Sequence, residues 1–543
     1  MPVINFSYTD FIDLLGKDMD KGEFLERFPL IGCEIERVDG DDISIEIFPD
    51  RPDMNSVEGI ARAARAFFGI EKGLKTYEIE KSDVTTYIDE SVKGVRPVIV
   101  TALVKNVEMS DELISSLMQL QEKLHMGIGR NRKKIAIGVH DFDKVKPPFR
   151  YKAVNPESVR FVPLNFEEEM SLSEILQKHP KGIEYAHLLE GKEKYPLLVD
   201  KDENVLSFPP IINGVLTQVT PYTKNIFIDI TGMDEQTAKL ALNIVCSALA
   251  ERGGKIYTTK VIDAGEERSY PDFTPEEMFI DRNYAESVIG LKLSDGEVEE
   301  SLLRMGYDVE ISQEKIKVKI PPWRGDILHE IDIVEDIAIG YGFDRLTPQN
   351  PRHLTYGKPL EKNKLINKMR TILIGLGFHE VETLTLSNER DEFEKLGLEE
   401  GEVIKIENPI SEEYTCLRKS LLPSLLKICR VNRHRSLPQR IFEVGYVVDE
   451  NRKNVLHLSF VEIDEGTNFS RCKSLFEAIS RDSGINMTIE RFEHPAFIRG
   501  RCAGIVYNGN TIGYFGEIHP RTLVEFELEH PAIAMEMSLE ELD

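Results

Sequence analysis

The sequence predicts a multidomain α+β protein. Three observations predict it. The chain has 543 residues, roughly three to four domains at ~150 residues each. Period-two apolar runs and 3.6-period amphipathic runs follow one another along it, the pattern of mixed strand and helix domains. Hydrophobic residues make up 41% and charged residues 30%, the balance of ordinary globular proteins. That balance excludes a disordered or collagen-like chain and allows each domain its own core. There is no repeat and no low-complexity tract.

The first domain is expected over 1–83. Ile43, Ile45 and Ile47 alternate with polar residues as in a half-buried strand, and Pro49 to Asp53 is a turn. Asn55 or Ser56 caps a helix whose Val57, Ile60, Ala61, Ala64 and Phe68 share one face. Residues 71–95 turn polar and lose periodicity, as a linker would. The second domain is expected over 84–268. It opens on a strand (Arg96–Val107) and a helix capped by Ser110 and ended near Gly127, followed by the strand Ile135–Phe142. A loop-rich stretch and the strand NIFIDITG lead to a helix capped by Asp234. The third domain, 269–347, holds helices over Arg282 to Ile289 and DGEVEESLLRMGY, a strand KIKVKIP, and WRGDILHEIDIVEDIAIGYGF. The fourth, 355–543, starts on a long helix (Lys362–Phe378). The strands HEVETLTL, RIFEVGYVV, RCAGIVYNG and NTIGYFG follow, with further helices.

Several function classes drop out. The longest uncharged stretch, Asn204 to Thr223, contains Pro209, Pro210 and Pro221, so no membrane span is expected. The opening segment lacks a basic region and carries Asp10 and Asp13, so no secretory signal is expected. Six scattered cysteines (Cys33, Cys246, Cys416, Cys429, Cys472, Cys502) form no CxxC pair. Reduced thiols in the cytoplasm are the simplest reading. A net charge of −27 argues against bulk attraction to nucleic acid. No phosphate loop, GxGxxG or GxSxG motif occurs.

What remains is local. Asp332, Glu335 and Asp336 stand at i, i+3 and i+4, on one helix face, with Asp326 just upstream. Converging carboxylates of this kind suit Mg²⁺. Acids in a first helical turn are equally explained by the helix dipole and solvent. Two basic patches, Lys123/Arg130/Arg132/Lys133/Lys134 and Lys427/Arg430/Arg433/Arg435/Arg440, are candidate phosphate contacts; solvated loops and salt bridges explain them as readily.

The stretch PPWRGDILHEIDIVEDIAIGYGFDRL, Pro321 to Leu346, resembles a hallmark of the phenylalanine–tRNA ligase β-subunit family. FPDRPDMNSVEGIARA resembles its N-terminal pattern. VLSFPPIINGVLTQVTPYTKNIFIDITG resembles the editing domain of its shorter archaeal and eukaryotic type. ENPISEEYTCLRKSLLPSLL, RIFEVGYVV and GEIHP resemble its C-terminal domain. The resemblance covers nearly the whole chain, which has no room for the extra domains of the longer bacterial type. It implies an N-terminal domain, a B3/4 editing domain, a winged-helix-like B5 domain and a class II synthetase-like antiparallel-sheet domain. That last domain is expected to be catalytically silent: RIFEVG supplies Glu443 without an Arg-x-Glu pattern, and no late GxGxxR occurs.

The resemblance also implies a set of partners and sites. An α subunit in an (αβ)₂ heterotetramer would bind ATP and phenylalanine and charge tRNA(Phe). Asp326, Asp332, Glu335 and Asp336 match the family positions that hold a Mg²⁺ shared with that subunit. Ser207, Asn213, Gly214, Asp229 and Thr231 match the editing pocket. Tyrosine is phenylalanine plus a hydroxyl, and an apolar pocket rejects such an isostere by only ~100-fold. A hydrolytic site for Tyr-tRNA(Phe) would therefore need buried acceptors. Asp229 or Ser207 is expected to meet the tyrosyl hydroxyl, amides near Asn213–Gly214 to hold the ester, and water to attack. The alternative is a scaffold and tRNA-docking subunit without hydrolysis.

Overall fold

The computed structural model describes residues 2–312, 315–350 and 356–542. The chain forms two compact units, 1–349 and 350–543.

In the first unit, a three-stranded antiparallel sheet (order Val3–Ser7, Asp42–Ile47, Cys33–Asp39) packs on helices Tyr8–Leu15 and Val57–Phe67. Ser56 caps the latter, its hydroxyl accepting from Gly59 N. A second three-stranded sheet (Glu276–Asp281, Lys315–Ile320, Asp308–Ile311) carries helices Arg282–Ile289, Asp295–Arg304 and Glu330–Tyr341. This is the winged-helix-like arrangement. The two sheets share one apolar core, in which Phe11, Phe24 and Ile60 join Leu302, Tyr307, Ile333 and Ile337.

Between them in sequence lies a ten-stranded mixed sheet. Its order is Ile212–Asn213, Val205–Phe208, Tyr195–Val199, Phe149–Val154, Ile79–Ile88, Lys255–Asp263, Val98–Lys105, Ile226–Gly232, Ile135–Asp141, with Glu266–Tyr270 paired to Lys255–Asp263. Helices Asp111–Met126 and Glu235–Glu251 begin at Ser110 and Asp234, whose side chains accept from the third backbone amide onward. The linker expected over 71–95 is not one: Ile79–Ile88 is a strand, pairing in parallel with both Lys255–Asp263 and Phe149–Val154. Its Ser and Thr residues hide it from a hydropathy reading. Val84 and Thr86 are buried all the same.

The second unit is a seven-stranded sheet (His379–Glu380, Gln439–Val448, Asn454–Ile463, Ala532–Ser538, Asn510–Ile518, Phe497–Tyr507, Thr488–Arg491), antiparallel except for its first pair. Helices Glu361–Gly375 and Phe469–Ser483 bury Met369, Leu373 and Phe476 against Phe460, Phe515 and Met535 on one face. Helix Leu422–Val431 buries Leu422, Leu425 and Leu426 against Val461, Ile463 and Ala534 on the other. Of the expected strand HEVETLTL, only His379–Glu380 and Leu386, which begins strand Leu386–Ser387, lie in strands.

Candidate functional site

Asp229 sits in the middle of strand Ile226–Gly232, flanked by Thr101 on one neighbouring strand and Gly138 on the other. The strand is buried throughout. A carboxylate there needs a partner, and His140 supplies it: Nε2 lies 2.6 Å from Asp229 Oδ1. His140 Nδ1 is 2.8 Å from Thr217 Oγ1. Gly138 makes this pairing possible. A Cβ at that position would lie 2.3 Å from Asp229 Oδ1 and 2.7 Å from His140 Nε2. His140 and Thr217 were missed in the sequence. The available signal was Gly138, a glycine inside a buried strand two residues before a histidine, which marks a close approach.

Thr217 ties this pair to the other end of the strand path. Its hydroxyl lies 3.4 Å from the Leu206 carbonyl oxygen, next to Ser207, and Asn213 Nδ2 donates to Val139 O at 3.4 Å. Ser207 is opposite Asn213 in the ladder. Its hydroxyl is buried and has no hydrogen-bond partner, which is unusual for a buried polar group. His140 and Thr217 thus connect Asp229 to the carbonyl of Leu206, the neighbour of Ser207 in strand Val205–Phe208.

Gly214 and Thr231 have their own contacts. The Gly214 amide donates to Leu206 O at 2.8 Å. A Cβ there would come within 2.9 Å of Val205 O, which is why the position is glycine. Thr231 serves Arg96: Nε donates to Thr231 Oγ1 at 3.0 Å and Nη2 to its carbonyl at 2.8 Å. Burial lowers the Arg96 pKa to about 10.

The first basic patch is partly structural. Arg132 is buried and donates to Pro210 O at 3.2 Å and Ile211 O at 2.8 Å, with its guanidinium over the Tyr185 ring. It shapes the loop before Asn213. In the second patch Lys427 pairs with Asp391, Arg430 and Arg433 with Glu527, and Arg440 with Glu462.

The four acids near residue 330 do not converge on a vacant centre. Arg324 Nη2 donates to Asp326 Oδ2 at 2.6 Å and to Asp336 Oδ2 at 2.7 Å, and Nε donates to Asp326 Oδ1 at 2.8 Å. Tyr307 donates its hydroxyl to Asp336. Asp332 accepts from the Leu328 and His329 amides at 2.8 Å, capping helix Glu330–Tyr341. Glu335 faces the rest: burial and the charges of Asp336, Asp50, Asp332 and Asp326 raise its pKa. Among the described residues no group of three or more His, Cys, Asp or Glu side chains is arranged to hold a metal ion. The chain by itself therefore does not fit a self-contained Mg²⁺ site. A helix put these acids together in sequence; the arginine two residues before Asp326 took the cation's place.

In the second unit Glu443 accepts from Arg418 Nη2 at 2.8 Å and from Thr383 Oγ1 at 2.6 Å. Glu536 accepts from the Leu421 and Leu422 amides at 3.0 and 3.1 Å and meets His457 Nδ1 at 2.8 Å. Helix Leu422–Val431 has no side-chain cap of its own, so this buried carboxylate completes its N-terminus.

No helix among the described residues is long and apolar enough to cross a membrane. Three family models match successive parts of the chain: the B3/4 domain over 85–264, the tRNA synthetase B5 domain over 278–343, and the phenylalanyl tRNA synthetase beta chain CLM domain over 347–539. The chain is 45% identical over 545 residues to the phenylalanine–tRNA ligase beta subunit of Methanococcoides burtonii, covering 100% of both. It is 46% identical to that of Archaeoglobus fulgidus, covering 99% of this chain and 98% of the relative. An N-terminal fragment of the phenylalanyl-tRNA synthetase beta subunit from Pyrococcus horikoshii superposes with a TM-score of 0.61 at 44% identity, covering 63% of this chain and 99% of the fragment. Identity of this order along the full length, with all three domain models in order, places the chain in the phenylalanine–tRNA ligase beta-subunit family.

Proposed function

We propose that this chain works with an α subunit, in an (αβ)₂ heterotetramer in the cytoplasm, to attach phenylalanine to tRNA(Phe), and that its B3/4 domain hydrolyses Tyr-tRNA(Phe). The observation that carries the editing reading is the linked set Asp229–His140–Thr217 beside the unpartnered Ser207 hydroxyl. A carboxylate has two acceptor oxygens, and His140 engages Oδ1. Discrimination by a hydroxyl needs a polar partner that is costly to leave unpaired, and Ser207 and Asp229 are such groups. His140 orients the Asp229 carboxylate, and Thr217 orients His140. Water is the nucleophile in this reading, since no serine or cysteine in the set stands beside a free base.

ATP and phenylalanine belong to the α subunit. Glu443, the acid of the motif-2-like strand, is paired internally with Arg418, and helix Leu422–Val431 covers the sheet face behind it. The expected Mg²⁺ at Asp326, Asp332, Glu335 and Asp336 requires ligands from the α subunit, because Arg324 already neutralises two of the four carboxylates. The crowding of like charges around Glu335 is what supports a cation there in the assembly.

The test is deacylation of Tyr-tRNA(Phe) by this chain reconstituted with its α partner, wild type against Asp229→Ala. Hydrolysis lost on substitution while phenylalanine charging persists supports the proposal. A wild-type complex that charges phenylalanine and hydrolyses nothing makes the chain a scaffold.

A further inference from the structure

We propose that Tyr222 is a stacking platform for the terminal base of the single-stranded tRNA 3′ end, with Lys144 and Lys224 as contacts for the phosphates beside it. The proposal rests on the editing reading above. Loop Thr217–Thr223 is fastened at both ends to two consecutive residues of strand Ile135–Asp141. Thr217 Oγ1 meets His140 Nδ1 at 2.8 Å, and Thr223 donates its hydroxyl to Asp141 Oδ2 at 2.8 Å. The loop is also held from within. Thr220 N donates to Thr223 Oγ1 at 3.1 Å, Thr223 N to Thr220 O at 3.0 Å, and Tyr222 N to Thr220 Oγ1 at 3.3 Å. The backbone of Tyr222 is thus fixed, yet the residue is 91% exposed. Among the described residues its side chain has no hydrogen bond or ring contact.

A lone exposed apolar side chain is ordinary. Tyr222 differs in its anchorage and its neighbours. Its loop is tied to His140, which also holds Asp229. Val215 and Leu216, just before the loop, are exposed as well. The chain carries a net charge of −27, but the cations here are unpaired. Lys224 follows the loop, and Lys144 ends the turn Phe142–Lys144 that lies against Val215–Thr217. Both lysines are exposed, and among the described residues neither forms an ion pair. The acids nearest in sequence are engaged: Asp141 by Thr223, and Asp143 by Asn225 Nδ2 at 2.8 and 3.1 Å. An aromatic face beside unpaired cations is the chemistry that binds single-stranded nucleic acid. The ester of an aminoacyl-tRNA sits on the ribose of its last nucleotide. Whatever hydrolyses that ester therefore has the terminal base as a near neighbour, and Thr217 and His140 connect the loop to Asp229.

The test uses the reconstituted complex. Tyr222→Ala and Tyr222→Leu should raise the KM for Tyr-tRNA(Phe) deacylation about tenfold. Tyr222→Phe should keep the wild-type value, because stacking needs the ring and not the hydroxyl. Lys144→Gln and Lys224→Gln should each lower the slope of log KM against log salt by about 0.7. A second readout is independent of hydrolysis. A tRNA(Phe) that ends in 2-aminopurine and carries tyrosine through a stable amide should be quenched by wild type and Tyr222→Phe, and not by Tyr222→Ala or Tyr222→Leu. Equal KM and equal quenching in wild type and Tyr222→Ala would overturn the platform and leave the editing reading standing. A salt slope unmoved by both lysine variants would overturn the phosphate contacts. A wild-type complex that hydrolyses nothing refutes the editing reading, and the quenching comparison then decides by itself whether Tyr222 meets the base.

Discussion

His140 Nε2 lies 2.6 Å from Asp229 Oδ1, and the two side chains are 0% and 2% exposed. A pair this deep is sensitive to loss of either member, since the survivor is left buried and uncompensated. Asp229→Ala is expected to cost about 2–4 kcal/mol. Asp229→Asn keeps an acceptor for His140 and should cost under about 1 kcal/mol. In the reconstituted complex both should depress Tyr-tRNA(Phe) hydrolysis. Denaturant unfolding and deacylation, measured on the same two variants, separate the structural role from the functional one.

Gly138→Ala places a methyl group where Asp229 and His140 meet. Phenylalanine charging should persist, and hydrolysis of Tyr-tRNA(Phe) should fall as in Asp229→Ala. Equal hydrolysis by wild type and variant would show that the Asp229–His140 geometry does not matter to editing.

Ser207→Ala removes a hydroxyl that has no partner. Stability should change by no more than about 0.5 kcal/mol, or improve, because nothing is broken and an unsatisfied group is relieved. Loss of Tyr-tRNA(Phe) hydrolysis in a variant of unchanged stability would mark Ser207 as a substrate contact.

Arg324→Met leaves Asp326 and Asp336 close together without their cation. It should destabilise the first unit by about 3–5 kcal/mol. The wild-type chain without its α partner should show no change in melting temperature on chelation, because Arg324 is its own counter-charge. A chelation-sensitive melting temperature for the isolated chain would contradict this.

Glu392 gives a pH signature. Burial raises its pKa to about 7 from the ordinary 4.5, while its Oε2 accepts from the Lys419 and Ser420 amides at 3.0 and 3.2 Å. The folded state holds this proton more tightly than the unfolded chain. Its contribution to stability is therefore full below about pH 4.5, declines as pH rises through 4.5 to 7, and stays flat above that. The span is about 3 kcal/mol. Hydrogen exchange of helix Leu422–Val431, corrected for intrinsic rates, should accelerate across that range in wild type and not in Glu392→Gln.

The amino-acid sequence determined the elements with strong local signals. Ser56, Ser110 and Asp234 cap the helices expected of them, because a cap is a contact between residues three apart. Helix Arg282–Ile289 has the bounds read from its pattern. The motif order determined the family. Only the tertiary structure decided the rest. Ile79–Ile88 reads as a polar linker, yet it is a strand because two parallel neighbours, one nearly 180 residues away in Lys255–Asp263, satisfy its backbone. Asp229 was visible as a candidate, but its partner His140 is brought to it by strand pairing across 89 positions. The acids around residue 330 share a helix face as their spacing requires, yet what neutralises Asp326 and Asp336 is Arg324, whose side chain is only 2% exposed. Spacing places groups on a face; which charge they meet there depends on burial, and burial is set by segments distant in the chain.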